Sequence, residues 1–167
     1  MDMVALRISD LRQFTKQLFL GDTFDKFLVK EATIVTFNTF TIDGTVRHGY
    51  YSDEELEAGR IEQYSAWKVL RPFCFSLIRG NKLPESFSII LKLAPEDTGN
   101  FLKKRCSSYA PEAVGGLYLN LRYEEQVLHC VTGIALNQFL MDKTLEREWD
   151  DAVRTFFKRA ELPFEEH

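Results

Sequence analysis

Leu117-Tyr118-Leu119-Asn120-Leu121-Arg122-Tyr123 alternates leucine with larger polar or amphipathic residues along most of its length. Successive side chains of a strand point to opposite faces, so this stretch predicts a strand with one face in a core and the other in water. One-sided burial of this kind belongs to antiparallel sheets, because parallel strands are covered on both faces. Reading outward, Glu124-Glu125 predicts a turn and Val127 to Thr132 the return strand. Gly133 predicts a break or bulge, with Ile134 to Met141 continuing the strand. Upstream, Ser107 to Gly116 reads as a loop and Phe87 to Leu93 as an apolar strand. Pro95-Glu96-Asp97 between them reads as a helix first turn, with proline at N1 and two acids at the positive helix end. A last helix starts near Thr144, carries the stripe Leu145, Trp149, Val153, Phe156 and Ala160, and is ended by Pro163.

The first half of the chain reads in a related way. Val4 to Ile8 predicts a strand, and Ser9 or Asp10 caps a helix whose apolar side is Leu11, Phe14, Leu18 and Phe19. Gly21 is expected to stop that helix in a left-handed conformation. Residues 27–42 are strand-like, and Ile34 to Ile42 carries apolar groups on both faces, which predicts a central strand covered on both sides. Asp43-Gly44 reads as a hairpin turn with a return strand through Val46, His48 and Tyr50. Ser52-Asp53-Glu54-Glu55 is a capping box opening a short helix interrupted at Gly59. A longer helical stretch carries Ile61, Tyr64, Trp67 and Leu70, and Pro72 begins either a fresh helix to Arg79 or a strand, with helix favoured.

These elements predict an α+β fold: a mainly antiparallel sheet with about four helices packed on it, in a single globular domain spanning 1–167. The halves 1–84 and 85–167 share an order of strand, helix, hairpin and helix, which raises an internal duplication. DNA sliding clamps are built from duplicated units of this type, and the four long helical stretches here hold thirteen Lys/Arg against eight Asp/Glu. That likeness is one of fold alone, and fold does not fix function.

Composition narrows the class. Apolar residues make up 45% of the chain, enough for a core without disulfides or metal, and fourteen phenylalanines predict an interior of large flat side chains. No run approaches the ~20 apolar residues of a membrane helix, and Met1-Asp2-Met3-Val4 carries an acid where a secretion signal is basic, so the expected location is cytoplasmic, with no membrane partner. Three scattered cysteines, Cys74, Cys106 and Cys130, fit a reducing compartment and read as buried thiols. A net charge of −4 disfavours a dedicated nucleic-acid binder while leaving room for a local basic face.

Motifs for catalysis are sparse. There is no nucleophile elbow, phosphate loop or dinucleotide fingerprint. His129 and Cys130 are strand neighbours, so they face opposite ways and do not share a metal ion. Cys74, in an apolar run, reads as inert. Neither catalytic residues, a metal nor a cofactor is assigned. The one catalytic alternative is a small enzyme with His48, Asp43 and Tyr50 near the 43–51 hairpin.

The most distinctive local feature is basic. Between Gln63 and Pro84 there are four cations and no acid until Glu85, and aromatics adjoin them: Tyr64, Trp67, Lys68, Arg71, Arg79 and Lys82 form the candidate binding set. The plainer reading is a solvated helix face with a basic C-terminal end. The leading functional expectation is a non-catalytic intracellular binding or adaptor domain with a protein partner or self-association. Nucleic acid, through a clamp-like role, is the less favoured partner.

The strings IVTFNTFTIDG (34–44), SAWKVLRPFCFSLIRGNKLPESF (65–87) and GGLYLNLRYE (115–124) resemble an uncharacterised bacterial family from clostridia and their relatives, a domain of unknown function. The resemblance implies a bacterial cytoplasmic protein and brings no activity, ligand or catalytic residue with it.

Overall fold

The computed structural model describes residues 4–59, 61–80, 83–139 and 142–166. Its elements run β1 (Ala5–Ile8), α1 (Leu11–Phe19), β2 (Phe27–Val35), β3 (Thr39–Asp43), α2 (Asp53–Ala58), β4 (Ser65–Ala66), α3 (Trp67–Ile78), β5 (Ser86–Leu93), α4 (Pro95–Arg105), β6 (Val114–Glu124), β7 (Val127–Leu136), α5 (Thr144–Arg159) and β8 (Phe164–Glu166). The eight strands form one antiparallel sheet in the order β3-β2-β5-β6-β7-β1-β8, with β4 beside β3 on the same edge of β2. The fold class is α+β.

Alternation decides which face is covered. Phe87, Ile89 and Leu91 of β5 stand beside Tyr123, Leu121 and Leu119 of β6, and all six are buried. Leu128 and Cys130 of β7, Leu6 and Ile8 of β1, and Ala32 and Ile34 of β2 extend these rows. Four helices close over them. α1 contributes Phe14, Leu18 and Phe19, α3 contributes Trp67 and Cys74, α4 contributes Leu102, and α5 contributes Leu145, Trp149, Val153 and Phe157. The phenylalanines do gather inside: Phe24 meets Phe14 at 5.4 Å and Phe156 at 5.5 Å, in tilted and edge-on geometries that suit the ring quadrupole. The opposite face carries Thr33, Ser88, Asn120, Arg122, His129 and Arg7, all half-buried or exposed.

Several expectations are corrected. The run 27–42 is not one strand, and its middle is not covered on both sides. The chain turns at Thr36–Asn38, where the Thr36 amide donates to the Asn38 carbonyl at 2.9 Å, and Phe37 lies 86% exposed at the apex. Asp43-Gly44 is not a hairpin turn. The Asp43 carboxylate accepts from the Thr45 amide, and Gly44 packs so tightly on β2 that a Cβ there would lie 1.7 Å from the Val29 carbonyl oxygen. The glycine is needed for close approach, not for positive φ. His48–Tyr50 is a 3-10 turn, and the chain rejoins the sheet only at the Thr45–Tyr64 bridge and β4.

Gly21 does not cap α1 in a left-handed conformation; among the described glycines only Gly59 and Gly80 have positive φ. Helix α3 begins at Trp67, so Ile61 and Tyr64 precede it, and it runs unbroken through Pro72. Pro72 is exposed there, so water can reach the carbonyl its missing N–H leaves free. Strand β6 begins inside the expected loop, at Val114, through a bulge before Gly116. Strand β7 stops at Leu136 instead of continuing; Leu140 and Met141 lie outside the described residues. The short β8 was not anticipated. The Glu124-Glu125 turn is present, with Glu125 and Gln126 at φ 50° and 66°. In the two halves, β5 pairs with β6 while β1 pairs with β7.

Two buried polar contacts tie helices to the core. The Trp67 indole Nε1 donates to the Leu18 carbonyl at 2.9 Å, joining α3 to α1. The Thr132 hydroxyl donates to Asp150 Oδ1 at 2.5 Å, joining β7 to α5. Trp67→Ala is expected to cost about 3–5 kcal/mol in urea unfolding, and Lys68→Ala, one residue on and exposed, within about 0.5 kcal/mol; comparable losses would contradict this placement.

Burial raises the Asp150 pKa, a shift the Thr132 hydroxyl and Arg154 only partly oppose. The folded state therefore holds this proton more tightly than the unfolded chain. Its contribution is fully present at low pH and is lost as pH climbs from about 4 through the raised value. Relative to Asp150→Asn, the native protein is expected to lose stability across that climb, measured as the difference between the two unfolding curves at each pH. A pH-independent difference would contradict the account.

Candidate functional site

The open face of the sheet carries a group of two lysines and two tyrosines. Lys92 and Tyr118 are direct partners on β5 and β6, and Leu28 of β2 sits on the other side of Lys92. The Lys92 ammonium lies 5.5 Å from the Tyr64 ring centre and 6.0 Å from that of Tyr118. The Lys30 ammonium lies 5.7 Å from the Tyr118 ring. Aromatic and cation thus alternate: Tyr64, Lys92, Tyr118, Lys30.

Local structure explains the arrangement. Register shifts between Val29 and Glu31, so Lys30 falls on an irregularity of β2. Gly116 supplies the space: a Cβ there would stand 2.8 Å from Lys92 Cε and 2.9 Å from Tyr118 Cε2, so both side chains lie across bare backbone. Tyr64 is delivered by the chain returning over the sheet edge, where it bridges Thr45 just before β4.

The electrostatics are those of a cation held near another cation. Burial lowers the Lys92 pKa first, and the nearby Lys30 charge lowers it further; Glu62 opposes both. Burial, then Tyr64, raises the Tyr118 hydroxyl. Among the described residues neither Lys30 nor Lys92 forms a salt bridge. Ring faces attract ammonium groups by about 0.5–1 kcal/mol at exposed sites, which holds the two charges in place without neutralising them. Such a pair can take up an anion between or above its members.

The six residues expected from the sequence do not form one surface. Trp67 is fully buried. Arg71 is turned inward to a salt bridge with Asp25 at 2.8 Å and also donates to the Gly21 carbonyl. Lys68 is exposed on α3, and Arg79 is exposed beyond the other end of that helix. Lys82 lies outside the described residues. Tyr64 alone joins the ladder. The basic stretch is thus split by helical periodicity: Trp67, Arg71 and Cys74 share the inward side. Lys30, Lys92 and Tyr118 were missed because pairing across three strands created their proximity. The local signal available was Gly115-Gly116 preceding an alternating strand.

The catalytic alternative fares worse. His48 is exposed in its 3-10 turn, Tyr50 is 85% exposed, and the Asp43 carboxylate accepts from the Thr45 amide. All three cysteines are buried. Burial pushes the Cys74 thiol up to about 11 and raises Cys130 as well. Among the described residues no helix is long and apolar enough to cross a membrane.

No curated protein and no solved structure matches the chain. A family model matches residues 17–165, from within α1 to β8, which includes every member of the ladder. The chain belongs to this family, DUF5721, a family of unknown function.

Proposed function

We propose that this is a non-catalytic, cytoplasmic binding or adaptor domain that engages a protein partner through the uncovered face of its sheet, gripping an acidic group of that partner at Lys30 and Lys92. The observation that carries the reading is the pair of ammonium groups held on the Tyr118 ring with no carboxylate bridging them among the described residues. Partial desolvation of Lys92 strengthens its attraction for an incoming anion, because charge interactions grow as water is excluded. Asn120, two residues from Tyr118 along β6 and on the same face, adds a polar side chain beside the group. The burial of the three thiols and the exposure of His48 and Tyr50 support binding over catalysis.

Inorganic pyrophosphate is a direct probe of this anion site. Titrated into the protein and followed by amide chemical shifts, it is expected to bind at one saturable site and move residues 28–31, 91–93 and 117–119. Lys92→Gln and Lys30→Gln are each expected to weaken binding about tenfold, the usual size of a charge-assisted hydrogen bond. Lys68→Gln on α3 is expected to leave it unchanged, and added salt to weaken it. Unsaturable shifts, or equal loss in the Lys68 and Lys92 variants, would contradict the proposal.

A further inference from the structure

The sheet has two free edges, and they are built differently. β8 is three residues long, carries Glu165 and Glu166, and is fastened by Arg154 to Glu166 at 2.5 Å. Short, charged edge strands discourage pairing with another chain. β3, at the opposite edge, is Thr39-Phe40-Thr41-Ile42-Asp43. It has no lysine, no proline and no register shift against β2, and its one charge is at its end.

The hydrogen-bond phase of β3 is fixed. The Gly44 amide donates to the Lys30 carbonyl at 3.0 Å, and the Thr36 amide to that of Asn38 at 2.9 Å. In an antiparallel ladder, bonded and non-bonded pairs alternate. The pairs Ala32–Ile42 and Ile34–Phe40 therefore exchange the bonds between β2 and β3. The backbone groups of Thr39, Thr41 and Asp43 point away from the sheet, and no hydrogen bond among the described residues engages them.

We infer that β3 pairs with β3 of a second copy of this chain, antiparallel about a two-fold axis at Thr41. The strand is complementary to itself in that register. Thr41 meets Thr41 of the second copy, Thr39 meets Asp43, and Phe40 meets Ile42. On the helix side this sets aromatic against β-branched, a favourable cross-strand pair. On the open side a hydroxyl faces a carboxylate. All three outward residues are used, for about six backbone hydrogen bonds. Centring the axis on Phe40 would leave Asp43 unpaired.

Apolar surface beside the edge extends the contact. Phe37 packs edge-on against Phe40 at 5.6 Å and is 86% exposed. It shares a groove of about 480 Å³ with Leu77, Ile78 and Leu83. Phe73, 62% exposed, is one turn from Leu77 on the same side of α3. A symmetric dimer presents this same patch from both copies. The inference is independent of the anion site.

Light scattering after gel filtration tests it with the full chain. The native protein is expected to be a concentration-dependent dimer. Thr41→Pro removes an outward N–H that β2 does not use, so the monomer is expected to keep its fold while dimerisation is lost. Thr41→Lys places two like charges at the axis and is expected to do the same, which covers failure of the proline variant to fold. Thr39→Lys, facing Asp43 of the second copy, is expected to tighten the dimer several-fold, and Thr39→Glu to loosen it. Under oxidation, Thr41→Cys is expected to give a covalent dimer and Thr39→Cys none. A native protein monomeric at about 100 µM, a dimer indifferent to both Thr41 substitutions, or equal cross-linking at the two positions would overturn the inference.

Discussion

Inward-facing side chains of β5 and β6, meeting row by row beneath four helices, are the contact on which the rest of the fold depends. Phe87 with Tyr123, Ile89 with Leu121 and Leu91 with Leu119 form its centre, and Phe87 and Tyr123 stack with ring centres 5.2 Å apart. Each buried aliphatic or aromatic side chain of this size is worth about 1.5–3 kcal/mol relative to exposure. A one-residue slip in register would turn the whole set outward, so the pairing is strongly specified. Four helices cover one side, while Thr33, Ser88, Asn120, Arg122 and His129 on the opposite face stay half-buried or exposed, and that asymmetry decides where a ligand can reach the sheet.

The uncovered face is where residues distant in sequence meet. Lys30, Tyr64, Lys92 and Tyr118 come from four segments brought together by the order β2-β5-β6 and by the returning chain before β4. The core makes this placement firm, since Tyr118 lies between Leu117 and Leu119, both fully buried. The strands hold both ammonium groups within about 6 Å of the Tyr118 ring centre despite their repulsion. The binding proposal therefore rests on the same alternation that forms the core.

Much of the fold was legible because its signals are local. The alternation of 117–123, proline at the start of α4, the Ser52 capping box and the stripe of α5 each depend on neighbours a few residues away. The failures share a different cause. The turn at Phe37-Asn38 is hidden inside a run of strand-forming residues, with no glycine or proline to mark it. Gly44 carried the signature of a turn and instead serves close packing on Val29. Pro72 resembled a helix boundary, yet its carbonyl partner is on the solvent side. For the site, Trp67 and Arg71 looked like a basic-aromatic surface because the sequence does not reveal which helix side meets α1 and Asp25. Lys92 and Tyr118 were readable as strand residues and not as partners, since register is a property of the folded sheet.

One-sided coverage of the sheet is the central claim, and thiol labelling of single-cysteine additions tests it most directly. Arg122→Cys and Ser88→Cys place thiols on the open face, while native Cys130 lies on the covered face of β7. The account predicts that a maleimide modifies both introduced thiols rapidly in the folded protein while Cys130 reacts only on unfolding. Protection of the introduced thiols to the level of Cys130, or rapid modification of Cys130 in the folded state, would contradict it.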